Sequence, residues 1–286
     1  MTIKEAYLLG RAHLAASGSE EAAIEAEVLL RRALGLDRAQ LYARWEGPMP
    51  ETSWDRYRVW LDERAGGRPV HYIVGEREFM GLSFTVDERV LIPRPETEIL
   101  VELAVSRLRG RDQPLVADIG SGSGCIAVSV AHLLPSAMVY ATDRSADALA
   151  VAAANAARHH MSERVTVLRG DLLNALPPAI HGRVDAVLSN PPYIPESQVA
   201  GLPREIREFE PREAILGPGD GMDAHRHLAA GAPRWLAPGG FLAVEVAAGQ
   251  SDAVRGIFHE SGVYDRIGVE RDRAGLGRVV WGTVEK

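Results

Sequence analysis

After Leu115 the chain alternates short apolar runs with longer amphipathic ones, and this alternation constrains the fold more than any other feature. The runs 115–119, 138–142, 165–168, 184–189 and 241–246 are almost continuously apolar, as strands buried on both faces must be. Between them lie stretches such as 146–159 with apolar residues at helical spacing. A repeated strand–helix order predicts a parallel sheet covered by helices on both faces. The tail, 264–269 and 278–281 around a Gly-containing turn, predicts a closing hairpin.

The first of these strands runs into Gly120-Ser121-Gly122-Ser123-Gly124, a turn that sits at the carboxyl end of the sheet, where doubly wound folds bind ligands. A dinucleotide fingerprint requires a further glycine where Cys125 stands. The observed spacing therefore fits a ligand without a pyrophosphate. The next strand ends on Asp143, whose carboxylate can accept both hydroxyls of a ribose. The third ends on Arg169-Gly170-Asp171-Leu172; there Asp171 can accept from an adenine amine and Leu172 can pack on the ring. Cys125 reads as a small buried packing residue.

The fourth strand ends on Asn190-Pro191-Pro192-Tyr193. Consecutive prolines cannot extend a sheet, so the chain must leave it here in a rigid, extended shape. The Asn190 side-chain oxygen and the Pro191 carbonyl are two acceptors that can grip both hydrogens of an NH₂ group. Pro192 stiffens the segment, and Tyr193 can lie over a planar group.

Residues 1–66 have helical periodicity, with Ala26, Leu29, Leu30 and Ala33 on one face. Ser17 and Glu20 have capping-box spacing before a second helix. This segment reads as a bundle of about four short helices without chemistry of its own. Residues 67–98 read as a hairpin-like linker, with Tyr72-Ile73-Val74 extended and a helix starting near Glu96. The catalytic domain then spans 99–286.

The net charge is −7, and residues 1–80 carry 11 Lys/Arg against 13 Asp/Glu. Such a chain has no basic face for a phosphate backbone, so free nucleic acid is disfavoured as a partner. No apolar run reaches the length needed to cross a bilayer. The single cysteine excludes an internal disulfide and a multi-cysteine metal site, and a reducing, cytoplasmic setting is expected; none of the nine histidines has metal-ligand spacing, so no metal is expected.

Asp118 to Gly124, Asp143 and the Asn-Pro-Pro-Tyr tetrapeptide together resemble the class I, Rossmann-like S-adenosylmethionine methyltransferases of the amino-methylating kind. Pro69-Val70-His71-Tyr72-Ile73, Gly75, Phe79, Gly81-Leu82, Phe84, the stretch Leu91 to Glu98 and Glu208-Phe209-Glu210-Pro211 narrow the resemblance to bacterial release factor glutamine methyltransferases, over nearly the whole chain. The Pro95-Glu96-Thr97-Glu98 continuation distinguishes it from ribosomal-protein glutamine methyltransferases. The chain is expected to act as a monomer. The resemblance implies transfer of a methyl group from S-adenosyl-L-methionine to the N5 of a glutamine in peptide chain release factors. It implies the methionine part against Gly120 to Gly124, the ribose on Asp143, the adenine near Asp171 and Leu172, and Arg94, Pro95 and Glu96 walling the cofactor pocket. Asn190 to Tyr193 take the glutamine, Asn190 also bordering the cofactor, and the N-terminal helices help hold the release factor. A DNA adenine-N6 methyltransferase is the competing reading outside protein methylation.

Overall fold

The computed structural model describes residues 1–285. They form two compact units, Met1–Glu76 with Pro203–Phe209, and Arg77–Leu202 with the residues from Glu210 onward. Residues 67–98 are thus not a separate piece: 67–76 belong to the first unit and 77–98 to the second.

The first unit is helical: α1 (Ile3–Ala16), α2 (Ala22–Leu34), α3 (Arg38–Ala43), α4 (Glu51–Ala65) and α5 (Val70–Val74). Thr2 with Glu5, and Asp37 with Gln40, form reciprocal capping boxes at α1 and α3. The Ser17–Glu20 box does not form. Ser17 ends α1, its hydroxyl donating to the Leu14 carbonyl at 2.7 Å, and α2 starts without a side-chain cap. Leu14, Leu29, Leu30, Leu41 and Tyr57 fill the core. Gly10 has to be glycine there, because a Cβ would lie 2.0 Å from the Tyr57 hydroxyl. Tyr72-Ile73-Val74, expected to be extended from their β-favouring side chains, instead complete α5. Pro69 starts that turn and Gly75, in the left-handed conformation, ends it; local capping outweighs propensity.

The second unit begins with a hairpin, β1 (Glu76–Phe79) and β2 (Leu82–Thr85), although Glu76 itself packs with the helices. Its two turn residues, Met80 and Gly81, both have positive φ, the backbone of a tight two-residue hairpin turn. Then follow α6 (Thr97–Leu108), β3 (Leu115–Ile119), α7 (Cys125–Leu133), β4 (Met138–Asp143), α8 (Ala146–Arg158), β5 (Val165–Arg169) and β6 (Val184–Ser189). The chain visits the helical unit as α9 (Arg204–Phe209). It returns as α10 (Arg212–Ile215), α11 (Asp223–Gly231), β7 (Leu236–Glu245), α12 (Ser251–Ser261), β8 (Arg266–Arg271) and β9 (Gly277–Thr283).

These seven strands make one sheet in the order β5-β4-β3-β6-β7-β9-β8, parallel from β5 to β7 and antiparallel at β9 and β8. Strand order reverses at β3, so the crevice for a ligand opens at the carboxyl ends of β3 and β6. Neighbouring residues face opposite helical layers: Ala186, Leu188, Phe241 and Ala243 pack in one core, Val187, Leu242 and Val244 in the other. Strand β7 starts five residues before the apolar run at 241–246. Pro238-Gly239-Gly240 reads as a turn but stays in the ladder, through a register shift opposite Asp185. Gly240 allows it, since a Cβ there would meet the Val184 carbonyl at 2.9 Å. Among the described residues no helix is long and apolar enough to cross a membrane.

Candidate active site

The loop after β3 is fixed by backbone bonds before any ligand enters. Gly120 and Ser121 both donate to the Thr142 carbonyl, at 2.8 and 2.9 Å, and Gly124 donates to the Ser121 carbonyl at 2.7 Å. Gly120, Gly122 and Gly124 all have positive φ, which L side chains adopt only under strain. Gly124 has a second reason, since a Cβ would stand 3.0 Å from that of Ala152 on α8. From α8, the buried Asn155 donates to the Ser123 carbonyl at 2.9 Å and bonds both backbone groups of Thr85. Beneath the loop, Asp118 Oδ2 accepts from Ala127 in the first turn of α7 at 3.1 Å. Burial, with Asp143 nearby, pushes the Asp118 carboxyl up to about 7.

Asp143 ends β4 beside this loop, accepting from the Gly122 amide at 2.9 Å and from the Ser145 amide at 2.9 Å. Its carboxylate is therefore held by one bond per oxygen, each oxygen keeping a further acceptor direction. Leu172, after β5, has φ 46°, a strained conformation for a branched side chain that is tolerated where the surroundings enforce it.

A cavity of about 380 Å³ opens over these strand ends, within the roughly 300–1,000 Å³ of small-ligand clefts. Gly120, Ser121, Gly122 and Ser123 line it, with Asp143, Asp171, Leu172, Asn190 and Pro192. Gly124, Pro191 and Tyr193 adjoin lining residues in the chain without lining the cavity themselves. Arg94, Pro95 and Glu96 do not line it either; the residues flanking them, Pro93 and Thr97, do. Arg94 turns away to Glu210, at 2.5 Å, and Glu96 to Arg278, at 3.5 Å. Arg94 thereby fixes the residue that precedes Pro211, Glu213, Ala214 and Leu216, all on the cavity wall. Cys125 also reaches the lining, but burial pushes its thiol up to about 12; a thiol held that firmly in its protonated form is a packing group.

The Asn-Pro-Pro-Tyr segment is clamped from several sides. Asn190 Nδ2 donates to the Thr97 hydroxyl at 3.2 Å, which turns the amide oxygen away from Thr97. No described residue donates to the Pro191 carbonyl or to Asn190 Oδ1. The Tyr193 carbonyl accepts from Gln250 at 3.1 Å, and the Tyr193 hydroxyl donates over 3.5 Å to Glu245. Gly217 and Gly221 lie against the same backbone: a Cβ on Gly217 would stand 2.8 Å from the Pro192 carbonyl, and one on Gly221 only 2.3 Å from that of Tyr193. Sequence reasoning missed Thr97, Glu245, Gln250 and these two glycines. One signal was available for Glu245, a carboxylate inside the apolar run 241–246.

The models of two families match the chain, "PrmC N-terminal domain" over residues 5–75 and "Methyltransferase small domain" over residues 96–202. A release factor glutamine methyltransferase of Moorella thermoacetica is 45% identical over 278 residues, covering 97% of each chain. One from Geobacter sulfurreducens is 42% identical over 283 residues, 99% of this chain and 97% of the other. Among solved structures, the hMettl16 catalytic domain bound to a 3′UTR hairpin overlays with a TM-score of 0.58 at 17% identity, covering 81% of this chain and 83% of that one. A methyltransferase from Pyrococcus furiosus overlays with a TM-score of 0.51 at 16% identity, covering 72% and 90%. These two similarities concern the fold, a Rossmann-like class I methyltransferase sheet.

Proposed function

This chain belongs to the release factor glutamine methyltransferase family, and we propose that it methylates the side-chain amide of a glutamine in a peptide chain release factor at the cavity over β3 and β6. It is an S-adenosyl-L-methionine-dependent enzyme. The observation that carries the site assignment is the Asn190 amide, held by Thr97 at the wall of the same cavity that the glycine loop and Asp143 line.

The cavity residues fit the cofactor. The backbone amides and bare Cα atoms of Gly120 to Gly124 admit the methionine end, with Ser121 and Ser123 between them. Asp143 offers its remaining acceptor directions to the ribose, and Asp171 and Leu172 flank the adenine. Arg94, Pro95 and Glu96 support this pocket from behind, Arg94 through Glu210. When bound, S-adenosylmethionine supplies a methyl group activated by its sulfonium.

An amide nitrogen is a poor nucleophile because its lone pair is delocalised. Asn190 Oδ1 and the Pro191 carbonyl each accept one of its N–H bonds, which orients the nitrogen and lets pyramidal character develop. Pro192 holds the two acceptors at a fixed separation, and Tyr193 anchors the end of the segment. Positioning and electrostatics supply the acceleration, and no side chain needs to act as a strong base. The enzyme works as a cytoplasmic monomer, with the helical unit contributing to recognition of the folded release factor.

Labelled methyl transfer tests the reading against its alternatives, with purified release factor, ribosomal protein and duplex DNA offered side by side. Label is expected in a release factor glutamine alone. Label in DNA or only in ribosomal protein overturns the substrate assignment.

A further inference from the structure

Three elements bring polar groups to one buried carboxylate behind Asn190. Glu245, the last residue of β7, is 2% exposed. The Tyr193 hydroxyl, from the loop after β6, donates to its Oε1. Glu245 Oε2 is buried with no hydrogen-bond partner in place among the described residues; the Thr97 hydroxyl, from the start of α6, is the side chain that most favours its charged form, while the Thr97 oxygen accepts from Asn190 Nδ2. A carboxylate is an expensive group for that position, since desolvation opposes its charge. Glutamine or leucine would fill similar space at less cost.

The gain lies in the direction of one proton. A hydroxyl has a single hydrogen. When the Thr97 hydrogen points at an ionised Glu245, only lone pairs are left for Asn190, so the amide must turn its NH₂ to Thr97 and its oxygen to the cavity. When Glu245 is protonated it can itself donate to Thr97. The Thr97 hydrogen is then free to turn toward Asn190, the amide can flip, and an NH₂ group would meet the NH₂ of the substrate.

We propose that Glu245 is a positioning residue for methyl transfer, its carboxylate fixing, through the Thr97 hydroxyl, which end of the Asn190 amide faces the substrate nitrogen. This rests on Asn190 as the acceptor assigned above. The groups facing Glu245 are Thr97 and Glu96 at the start of α6, Tyr193 after β6 and Arg278 on β9. Cys125 of α7 also senses its charge, and His225 of α11 bonds its backbone carbonyl at 2.9 Å. Burial raises the carboxyl to about 7, with Glu96 adding to the rise and Thr97, Tyr193 and Arg278 opposing it. Ionisation near neutrality makes the orientation dependent on pH: kcat should rise with pH through about 7.

The test compares wild type, Glu245→Gln, Thr97→Val, Thr97→Ser and Asn190→Ala, with purified release factor as substrate and S-adenosylhomocysteine binding as the check on the pocket. Glu245→Gln is expected to lower kcat on the order of 10–100-fold, with S-adenosylhomocysteine affinity within about twofold of wild type. The wild-type limb near pH 7 should be absent from its profile. Thr97→Val should reproduce the loss, Thr97→Ser should recover most of it, and the Glu245→Gln/Thr97→Val double variant should lose no more than the worse single one. Wild-type kcat and an unchanged limb in Glu245→Gln overturn the inference. Should that variant not fold, wild-type kcat in Thr97→Val overturns it equally. An Asn190→Ala enzyme with full activity refutes the acceptor assignment itself, whereas loss there without loss in the Glu245 and Thr97 variants removes only this inference.

Discussion

On the proposed reading Asp143 has two tasks at once: its oxygens hold the Gly122 and Ser145 amides, and their remaining acceptor directions would serve the ribose. Asp143→Ala removes charge-assisted bonds to the ligand and releases the glycine loop. S-adenosylmethionine binding should weaken by about 1.5–3 kcal/mol, roughly tenfold to a hundredfold, and calorimetry on the folded variant checks it. Asp118, one turn below, has the opposite economy. Its carboxyl holds a proton in the folded chain up to about pH 7, while in the unfolded chain it releases it near about 3.9. The folded state therefore binds more protons across that interval, so its contribution to stability is full below pH 4 or so and is lost as pH rises through about 7. Glu245 acts in the same sense, and His225, whose pKa burial lowers, in the opposite one. Asp118→Asn cannot ionise yet keeps an acceptor for Ala127. Its melting temperature should gain on wild type steadily from about pH 4 to 7 and level off above; parallel melting curves would show that Asp118 does not titrate in this range.

At the level of elements, the site depends on how closely the 217–221 segment approaches the Asn-Pro-Pro-Tyr backbone. Ile194 and Leu216 form a parallel bridge, and the glycines on either side of Pro218-Gly219-Asp220 let the two backbones meet. Gly221 has φ 85°, and its Cβ would overlap the Tyr193 carbonyl. Gly221→Ala should cost about 1–3 kcal/mol and displace Tyr193, lowering kcat more than S-adenosylhomocysteine affinity; single-turnover kinetics with binding measured in parallel separates the two. A variant with normal turnover would mean that the close approach serves packing alone. None of this could be read along the chain, where Gly217-Pro218-Gly219-Asp220-Gly221 signals only a turn. The sheet was legible because its strands are buried on both faces, which forces continuous apolar runs: β3 and β6 lie where the pattern put them. Asn190, Asp143 and the glycine loop stood out as polar or flexible residues at strand ends. Thr97 and Gln250 did not, because their meaning arises only when the ends of α6, β6 and β7 converge, and Glu245 showed only as a carboxylate inside an apolar run. Tyr72-Ile73-Val74 were misread for a different reason, α5 being a helix too short for periodicity to register.

On the scale of the whole molecule, the backbone passes between the two units three times, after Glu76, Leu202 and Phe209. The last two passages carry α9 into the helical unit ten residues on from Tyr193. There Arg64 bridges Glu25 at 2.7 Å and Glu205 at 2.8 Å, and the Arg204 side chain lies against Gly67, where a Cβ would be 3.2 Å from its Nε. Deleting the N-terminal helices would strip α9 of these partners and confuse recognition with order near the site. Arg64→Ala is a cleaner probe. It leaves Glu25 buried with no cation and only the Ser19 hydroxyl donating to it, a loss of about 3–5 kcal/mol for a fully buried pair, less here because that bond remains and Glu205 is 37% exposed. The damage falls within the helical unit, so the glycine loop and Asp143 should bind S-adenosylmethionine as before. A short glutamine peptide, which has few contacts beyond its amide, should be methylated at its slow wild-type rate. A folded release factor that uses remote contacts with the helical unit to deliver its glutamine should lose at least about tenfold in kcat/KM, equivalent to roughly 1.4 kcal/mol of binding energy. Equal losses on peptide and protein would assign α9 to the support of the active site instead, and no loss on either would leave the helical unit without a part in recognition.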